Sequence, residues 1–283
     1  MGNRLLNFLP MSLLKKQVCR NRPNPPLPPF IKGGIRKDLL KGLWTVVFLV
    51  IFLTPAFSEE LLVAAASDLI FAFSEIGKNF EAETGNKVIF SFGSTGMLTE
   101  QIRHGAPFDV FAAADDKSIM ELSSKNLIKE NSTKFYAKGQ LVVVFNKNIK
   151  SIRDIRGLES KETKRISIAN PDHAPYGLAA KQALIREGLW NKLQPKIILG
   201  ENVRQALQFV QTGNAEAGIV ALSIAKVPEV NYFLVDENLY PLIKQTIVIL
   251  KRSGKKKLAK EFVDFALSKK GKIILERFGY KVM

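Results

Sequence analysis

Short apolar runs alternate with segments of helical periodicity along residues 59–283. The runs are four to six residues long, which is typical of buried strands, and they cover 61–66, 87–92, 110–114, 140–145, 165–169, 196–199, 218–222 and 246–250. Between them apolar residues recur every three or four positions, as in the set Leu69, Phe73, Ile76 and Phe80. This spacing predicts helices over 68–83, 97–103, 177–190, 202–212 and 258–278. Strands that alternate with helices predict an α/β fold with parallel-rich sheets.

The first 58 residues have the pattern of a secretory leader. Three basic residues and one acid within 36–41 precede eleven uncharged residues, 43–53, and Ala56 and Ser58 place small side chains before the expected cleavage point. The alternative, a membrane-spanning helix, needs about 20 apolar residues. We therefore expect export with cleavage after Ser58, and a periplasmic mature protein that is not embedded in the membrane.

Residues 1–35 do not fit an ordinary signal peptide. Their proline-dense stretch, 21–29, favours an extended polyproline conformation over a helix. One interpretation is that translation starts downstream of Met1, and the alternative is a real extended leader. In both cases residues 1–58 contribute nothing to the predicted fold.

Charge gives little support to a nucleic-acid partner. The formal net charge is +16, but residues 1–58 contain nine Lys/Arg and one Asp, so that 33 basic and 25 acidic residues remain, a net charge of +8. Nucleic-acid-binding proteins more often have a concentrated basic stripe with aromatic residues. The nearest candidate, 251–257, lies between an apolar run and a helix and is predicted to be a solvated loop.

Cysteine usage narrows the chemistry further. The single cysteine, Cys19, lies in the predicted leader. Residues 59–283 therefore have no disulfide and no thiolate metal site, and no cysteine follows the apolar run as a lipid attachment point. We expect a free monomer.

Four predicted strand-to-helix joints carry small or polar residues. Ser67 follows the first strand, Gly93-Ser94-Thr95-Gly96 the second, 170–177 a later one, and 201–203 a fourth. Helix N-termini present unpaired N–H groups and a positive dipole end, and so they bind anions. Four converging joints would surround a tetrahedral oxyanion with neutral donors.

Each serine taken alone has a simpler explanation. Ser is a common helix N-cap and is usually present for stability, at about 1 kcal/mol. Repetition favours the functional interpretation, as do Gly93 and Gly96, which allow close approach of the backbone to a ligand. Spacing alone predicts an anion or phosphate site and does not select the ion.

Six sequence blocks resemble one known family, the periplasmic molybdate-binding proteins of ABC importers. In chain order they are 64–69 (AAASDL), 92–96 (FGSTG), 105–111 (GAPFDVF), 170–177 (NPDHAPYG), 201–207 (ENVRQAL) and 218–220 (GIV), and 278–280 (FGY) closes the chain. The resemblance spans residues 59–283.

This resemblance implies a type II periplasmic-binding fold. Two α/β lobes, 59–138 plus 243–283 and 139–242, would be joined by crossovers near 138–141 and 239–244. The ion would lie between them and would be delivered to an ABC permease with its ATPase. The implied ligand is molybdate or tungstate, with the metal bound only as its oxyanion. No cofactor and no enzymatic activity are implied.

The resemblance also implies a set of ligand contacts. Ser67 would use its hydroxyl and backbone N–H, Thr95 would come from the Gly-Ser-Thr-Gly turn with Ser94 as the neighbouring candidate, and Tyr176 and Val203 would donate backbone N–H groups.

Two residues depart from a simple oxyanion site. Several relatives have a Tyr where this chain has Ala221, and the hydroxyl of Tyr176 is one hypothesis for its replacement. Asp68 would repel a dianion unless its carboxylate points away. A protonated anion such as phosphate could instead donate to it.

Other classes stay open as alternatives. Receptors for sulfate, phosphate or ferric ion share the predicted architecture, although a ferric receptor would be expected to pair Tyr ligands with carboxylates. A Ser-dependent hydrolase is the contrasting class, but Ser94 is not in a Gly-x-Ser-x-Gly motif, and only His104 and His173 could act as its base.

Overall fold

A computed structural model describes residues 58–149 and 151–283. The predicted leader, and the question of where translation starts, lie outside these described residues. In the described part, no helix combines the length and the apolar character that crossing a membrane requires.

The described residues form eleven β-strands. In chain order they are β1 (Glu60–Ala66), β2 (Lys87–Gly93), β3 (Val110–Ala113), β4 (Lys134–Gly139), β5 (Leu141–Asn146), β6 (Ile166–Ala169), β7 (Ile197–Gly200), β8 (Ala217–Ala221), β9 (Val230–Leu234), β10 (Ile243–Ile249) and β11 (Lys281–Val282). All eight predicted strands are confirmed. The sequence prediction missed β4, β9 and β11.

Nine α-helices accompany the strands in this described part of the chain. They are α1 (Ile70–Thr84), α2 (Thr95–Arg103), α3 (Lys117–Ser124), α4 (Pro175–Arg186), α5 (Trp190–Leu193), α6 (Val203–Gln211), α7 (Leu222–Ala225), α8 (Lys256–Ala266) and α9 (Lys269–Arg277). A 3₁₀ turn, Ser67–Leu69, leads directly into α1.

Two predicted helices are interrupted in the structure. The predicted helix 177–190 ends as α4 at Arg186, and Gly188 follows with φ 71°, a left-handed conformation that glycine adopts without strain. The predicted helix 258–278 is two helices, because Ser268 leaves the helical conformation and its hydroxyl caps α9 by accepting from the N–H of Gly271.

The strands form two mixed sheets. The first has the order β11-β4-β10-β3-β1-β2 and the second β7-β6-β8-β5-β9. Strand β1 is parallel to β2 and β3, and β6 is parallel to β7 and β8, whereas β10 and β5 pair antiparallel with their neighbours. The chain passes from the first sheet to the second at Gln140 and returns between β9 and β10. The lobe boundaries at 138/139 and 242/243 stay a prediction.

Strand register brings the predicted joints together in pairs. Ala66 pairs with Gly93 at the ends of β1 and β2, and Ala169 pairs with Gly200 at the ends of β6 and β7. Because parallel strands end at the same edge of a sheet, each sheet presents two helix starts side by side.

Aromatic packing fixes the first of these helix starts. Phe80 of α1 meets Phe262 of α8 edge-on with ring centroids 5.4 Å apart, and Phe73 meets the same ring at 6.2 Å. Such pairs contribute about 0.5–1.5 kcal/mol each beyond area burial. They hold α1 against α8, and the edge-on contact of Phe73 with Phe90 of β2, 6.1 Å between centroids, holds it against the first sheet.

Candidate oxyanion-binding site

Four strand-to-helix joints, two from each sheet, meet around one small cavity. Its volume, including the mouth, is about 190 Å³, and its walls are Ala66, Ser67, Asp68, Gly93, Ser94, Thr95, Ala114, Ala174, Pro175, Tyr176 and Val203. All five residues that the sequence suggested as oxyanion contacts are in this set. The fold therefore gathers them at one place, and their contact with an ion stays a prediction.

The first joint places Ser67 at the start of a helical segment. Strand β1 ends at Ala66, and the 3₁₀ turn Ser67–Leu69 continues into α1. The Ser67 residue is only 4% exposed. Its hydroxyl and the N–H groups of this turn are thus available at the cavity wall, where the helix dipole favours negative charge.

The second joint separates the roles of two neighbouring hydroxyls. Ser94 is the N-cap of α2, and its Oγ accepts from the N–H of Met97 at 3.4 Å. Thr95 is 1% exposed, and its Oγ1 accepts from the N–H of Ala114 at 3.1 Å. Because a hydroxyl has one hydrogen and two lone pairs, this contact leaves the Thr95 hydrogen free for an acceptor in the cavity.

At the third joint, a proline determines which residue supplies the first amide N–H of the helix. Ala174 is the N-cap of α4 and Pro175 its first residue, so Tyr176 supplies the first N–H of this helix. Behind it, a Cβ at Gly177 would lie 2.1 Å from the carbonyl oxygen of Ala169. Glycine is therefore required for α4 to start this close to the end of β6.

The fourth joint leaves one amide unpaired by its cap. The side-chain oxygen of Asn202 accepts from the N–H groups of Arg204 and Gln205, at 3.0 and 3.1 Å. The first amide of α6, that of Val203, has no intrahelical acceptor, and Val203 lines the cavity.

A buried carboxylate stands behind the first joint. Asp68 is 1% exposed, and its Oδ2 accepts from Gln245 Nε2 at 2.9 Å and from the Tyr280 hydroxyl at 2.8 Å. Desolvation raises the pKa of Asp68 from 3.8 to about 6, although hydrogen bonds from Tyr280, Tyr176 and Gln245 oppose the rise. The carboxylate thus faces β10 and the end of the chain.

The tyrosine hydroxyls near the Asp68 carboxylate keep their protons and can act as hydrogen-bond donors. Burial, and next the charge of Asp68, raise the pKa of Tyr176 and of Tyr280 well above the usual value. Their hydroxyls therefore keep their protons at any physiological pH, and they can stabilise the ionised form of Asp68.

Comparisons with known proteins assign the family. Residues 61–281 match the model of a family described as bacterial extracellular solute-binding protein. The chain belongs to this family. This solute-binding protein is 38% identical to the molybdate-binding protein of Azotobacter vinelandii over 229 residues, which is 79% of this chain and 90% of that protein. It is 33% identical to the molybdate-binding protein of Rhodobacter capsulatus over 227 residues, covering 80% of this chain and 90% of the relative.

A solved structure supports the same assignment. The periplasmic molybdate-binding protein of Azotobacter vinelandii superimposes with a TM-score of 0.72 at 33% identity, over 78% of this chain and 98% of that one. The type II periplasmic-binding fold and the resemblance to molybdate-binding proteins, both predicted from the sequence blocks, are confirmed.

The Tyr176 hydroxyl of this solute-binding protein lies against two strands of the first sheet, β4 and β10. It accepts from Gln245 Nε2 at 3.5 Å, and it lies 2.1 Å from where a Cβ at Gly139 would be. Ala221, at the end of β8, is completely buried. The hypothesis that this hydroxyl replaces the tyrosine found in relatives stays a prediction, which a substitution at Tyr176 tests.

Sequence reasoning about this solute-binding protein missed several residues around the site. Ala114 follows β3, which is parallel to β1. The end of this third parallel strand could have predicted that Ala114 lies at the site. Gln245 is a fully buried amide in β10, between Lys244 and Thr246. Its polarity at the edge of the predicted strand 246–250 was a second signal. No local pattern connects Gln245 or Tyr280 with Asp68, because these contacts are formed by the fold.

Proposed function

We propose that this solute-binding protein captures molybdate or tungstate as a tetrahedral dianion. The observation that carries the proposal is the donor set: helix-start amides and the hydroxyls of Ser67 and Thr95 line the cavity, and none of its wall residues is Lys, Arg or His. An unprotonated dianion only accepts hydrogen bonds, so neutral donors at helix N-termini match it. The molybdate-binding relatives support the choice of ion.

The energetics of such a site are sufficient without a cationic side chain. In this proposal Ser67 contributes its hydroxyl and N–H, Thr95 its hydroxyl, and Tyr176 and Val203 their N–H groups. A hydrogen bond to a charged group contributes about 1.5–3 kcal/mol. Together these donors can therefore supply the roughly 8 kcal/mol that corresponds to micromolar affinity.

The position of Asp68 supports a fully deprotonated ligand. Its Oδ2 is already occupied by donors from Gln245 and Tyr280. A hydrogen phosphate ion would need an acceptor for its own proton, and Oδ2 of Asp68 already accepts from two protein donors. We therefore expect molybdate and tungstate to be preferred over phosphate, and we place sulfate and phosphate among the competitors of the binding test.

Export and delivery complete the proposal. The basic and apolar segments of 36–53, with small residues at Ala56 and Ser58, support secretion to the periplasm. The family, whose members are extracellular solute-binding proteins, supports transfer of the ion to an ABC permease and its ATPase. The protein would act as a monomer, with no cofactor, and would release the ion chemically unchanged.

The hydrolase alternative gains one contact but lacks the rest of a catalytic set. Ser94 Oγ lies 2.9 Å from His173 Nδ1, a distance suited to a nucleophile and its base. In the described residues no carboxylate hydrogen-bonds to the His173 ring, and Ser94 Oγ also caps α2. A base that is not oriented by a third group, beside an occupied serine, favours a structural role for this pair.

Calorimetry with the exported protein tests the proposal. Molybdate, tungstate, sulfate and phosphate are titrated separately at neutral pH, and molybdate or tungstate is then titrated in the presence of excess sulfate. We expect micromolar or tighter binding of molybdate and tungstate that excess sulfate does not abolish. Tighter binding of sulfate or phosphate would refute the ion assignment, and N-terminal sequencing of the same sample tests cleavage after Ser58.

A further inference from the structure

Two hydrogen bonds join the second and third joints beside the cavity. The N–H of Gly96, in the first turn of α2, donates to the carbonyl oxygen of His173 at 2.8 Å. Ser94 Oγ lies 2.9 Å from His173 Nδ1. His173, in a loop of the second sheet, thus hydrogen-bonds to both the backbone and a side chain of the turn that follows β2 in the first sheet.

The backbone contact gives an acceptor to an unpaired amide at the start of α2. The first amides of α2 have no intrahelical acceptor, and the Ser94 side chain serves only that of Met97. The carbonyl of His173 accepts from the amide of Gly96, which would otherwise need water. This contact therefore completes the capping of α2 with a group from the other sheet.

The same contact explains why position 96 is glycine. A Cβ there would lie 2.8 Å from both the Cβ and the carbonyl oxygen of His173, closer than side-chain atoms normally approach. Any larger residue would force the two loops apart at this point.

The neighbours of these residues form opposite walls of the cavity. Thr95 lies between Ser94 and Gly96, and Ala174 follows His173 directly. The two bonds can form only when both walls have closed on the enclosed space. Breaking them is required before the third joint can move away from the second.

We infer that His173 is a positioning residue that, with Ser94 and Gly96, forms a latch which slows the release of the bound oxyanion. This inference rests on the proposed function. It assigns Ser94 to the latch, because its Oγ is shared between His173 and the cap of α2, and leaves Thr95 as the hydroxyl of this turn that meets the ion.

A double-mutant cycle on the exported protein tests the latch. Release of radiolabelled molybdate into excess unlabelled molybdate is measured for the wild type, Ser94→Ala, His173→Ala and the double variant. We expect each single variant to release the ion about 3- to 10-fold faster, as the loss of one hydrogen bond predicts, with association rates nearly unchanged. The double variant should be no faster than the faster single variant.

Two further variants separate the latch from a general loss of structure. His173→Asn places an amide near the position of Nδ1 and should restore most of the slow release. Gly96→Ala should weaken molybdate binding at least tenfold. The free energy of unfolding of this variant without ligand should not fall below that of the wild type, because Ala is the better helix former. Gly254→Ala is the matched control, since a Cβ there meets nothing within 4 Å.

The outcomes distinguish the two proposals. If the wild type binds molybdate but the two single substitutions have additive or negligible effects on release, the latch is refuted and the proposed function stands. If the wild type binds no oxyanion, the proposed function is refuted and the latch with it.

Discussion

The hydroxyl of Tyr280 donates to Oδ2 of Asp68 over 2.8 Å, joining the end of the chain to the first wall of the cavity. Gln245 donates to the same oxygen from β10, and Ser223 Oγ donates to the backbone carbonyl of Asp68 at 2.9 Å. Elements of both sheets therefore meet at one buried acid. Its protonation is coupled to folding because burial penalises the charged form.

Asp68 should make the protein less stable as pH rises through the weakly acidic range. Its pKa is raised from 3.8 to about 6 in the folded state, so its stabilising contribution is complete below pH 3.8 and is lost as pH rises through about 6. The expected loss is on the order of 3 kcal/mol. Urea unfolding between pH 4 and 7 measures it as the difference between the wild type and Asp68→Asn.

A surface substitution controls for general effects of charge. Asp264 is exposed and pairs with Lys260 one helical turn away, so Asp264→Asn should change the unfolding free energy by less than about 1 kcal/mol at every pH. Parallel pH profiles for the wild type and Asp68→Asn would show that Asp68 does not titrate in this window.

The Asp68→Asn substitution should also strengthen binding of the dianion at alkaline pH. At pH 8 the Asp68 carboxylate is ionised and repels a neighbouring anion, whereas asparagine is neutral. We expect Asp68→Asn to bind molybdate about 3- to 10-fold more tightly at pH 8, with a smaller difference at pH 5.5, where the wild-type acid is mostly protonated. Calorimetry at both pH values measures this, and weaker binding by the variant at pH 8 would contradict the expected repulsion.

The fold was largely predictable because buried strands and amphipathic helices leave periodic patterns. The missed strands are those whose patterns are weakest. Strand β9 alternates between buried and exposed positions only partly, and β11 has two residues. The antiparallel pairing of β10 was not predicted either, since pairing direction depends on the return of the chain between β9 and β10 rather than on local sequence.

The site was predictable as a set of joints but not as a network. Ser67, Thr95 and Val203 each follow a recognisable strand and begin a helical segment, and strand register then brings them together. The contacts of Asp68 with Tyr280 and of Ser94 with His173 join residues 212 and 79 positions apart. The first contact depends on how distant elements of the first sheet pack, and the second on how the two sheets face each other. No local pattern encodes either.

Thr95→Val should weaken molybdate binding about 10- to 100-fold. Valine keeps the shape of the side chain but removes a hydroxyl that we place against a charged ligand, a loss of roughly 1.5–3 kcal/mol. It also leaves the buried N–H of Ala114 without its acceptor, so the unfolding free energy should fall by about 1–3 kcal/mol. Calorimetry and urea unfolding measure the two effects.

Thr99→Val is the matched control for this substitution. Thr99 lies one helical turn along α2, is equally buried, and its hydroxyl donates to the carbonyl of Thr95 without lining the cavity. Its removal should leave the affinity within about twofold. Equal losses of affinity from both variants would show that helix stability, and not an ion contact, explains the effect of Thr95.

Tyr176→Phe should change molybdate affinity by less than about threefold, because the backbone N–H is the proposed contact and the hydroxyl is a buried donor that lowers the pKa of Asp68. Loss of that donor should raise the pKa of Asp68 further and move the pH-dependent fall in stability to higher pH. Calorimetry and urea unfolding across pH test both statements. A loss of affinity beyond tenfold, with the pH profile unchanged, would instead favour a hydroxyl that reaches the ion and replaces the tyrosine missing at Ala221.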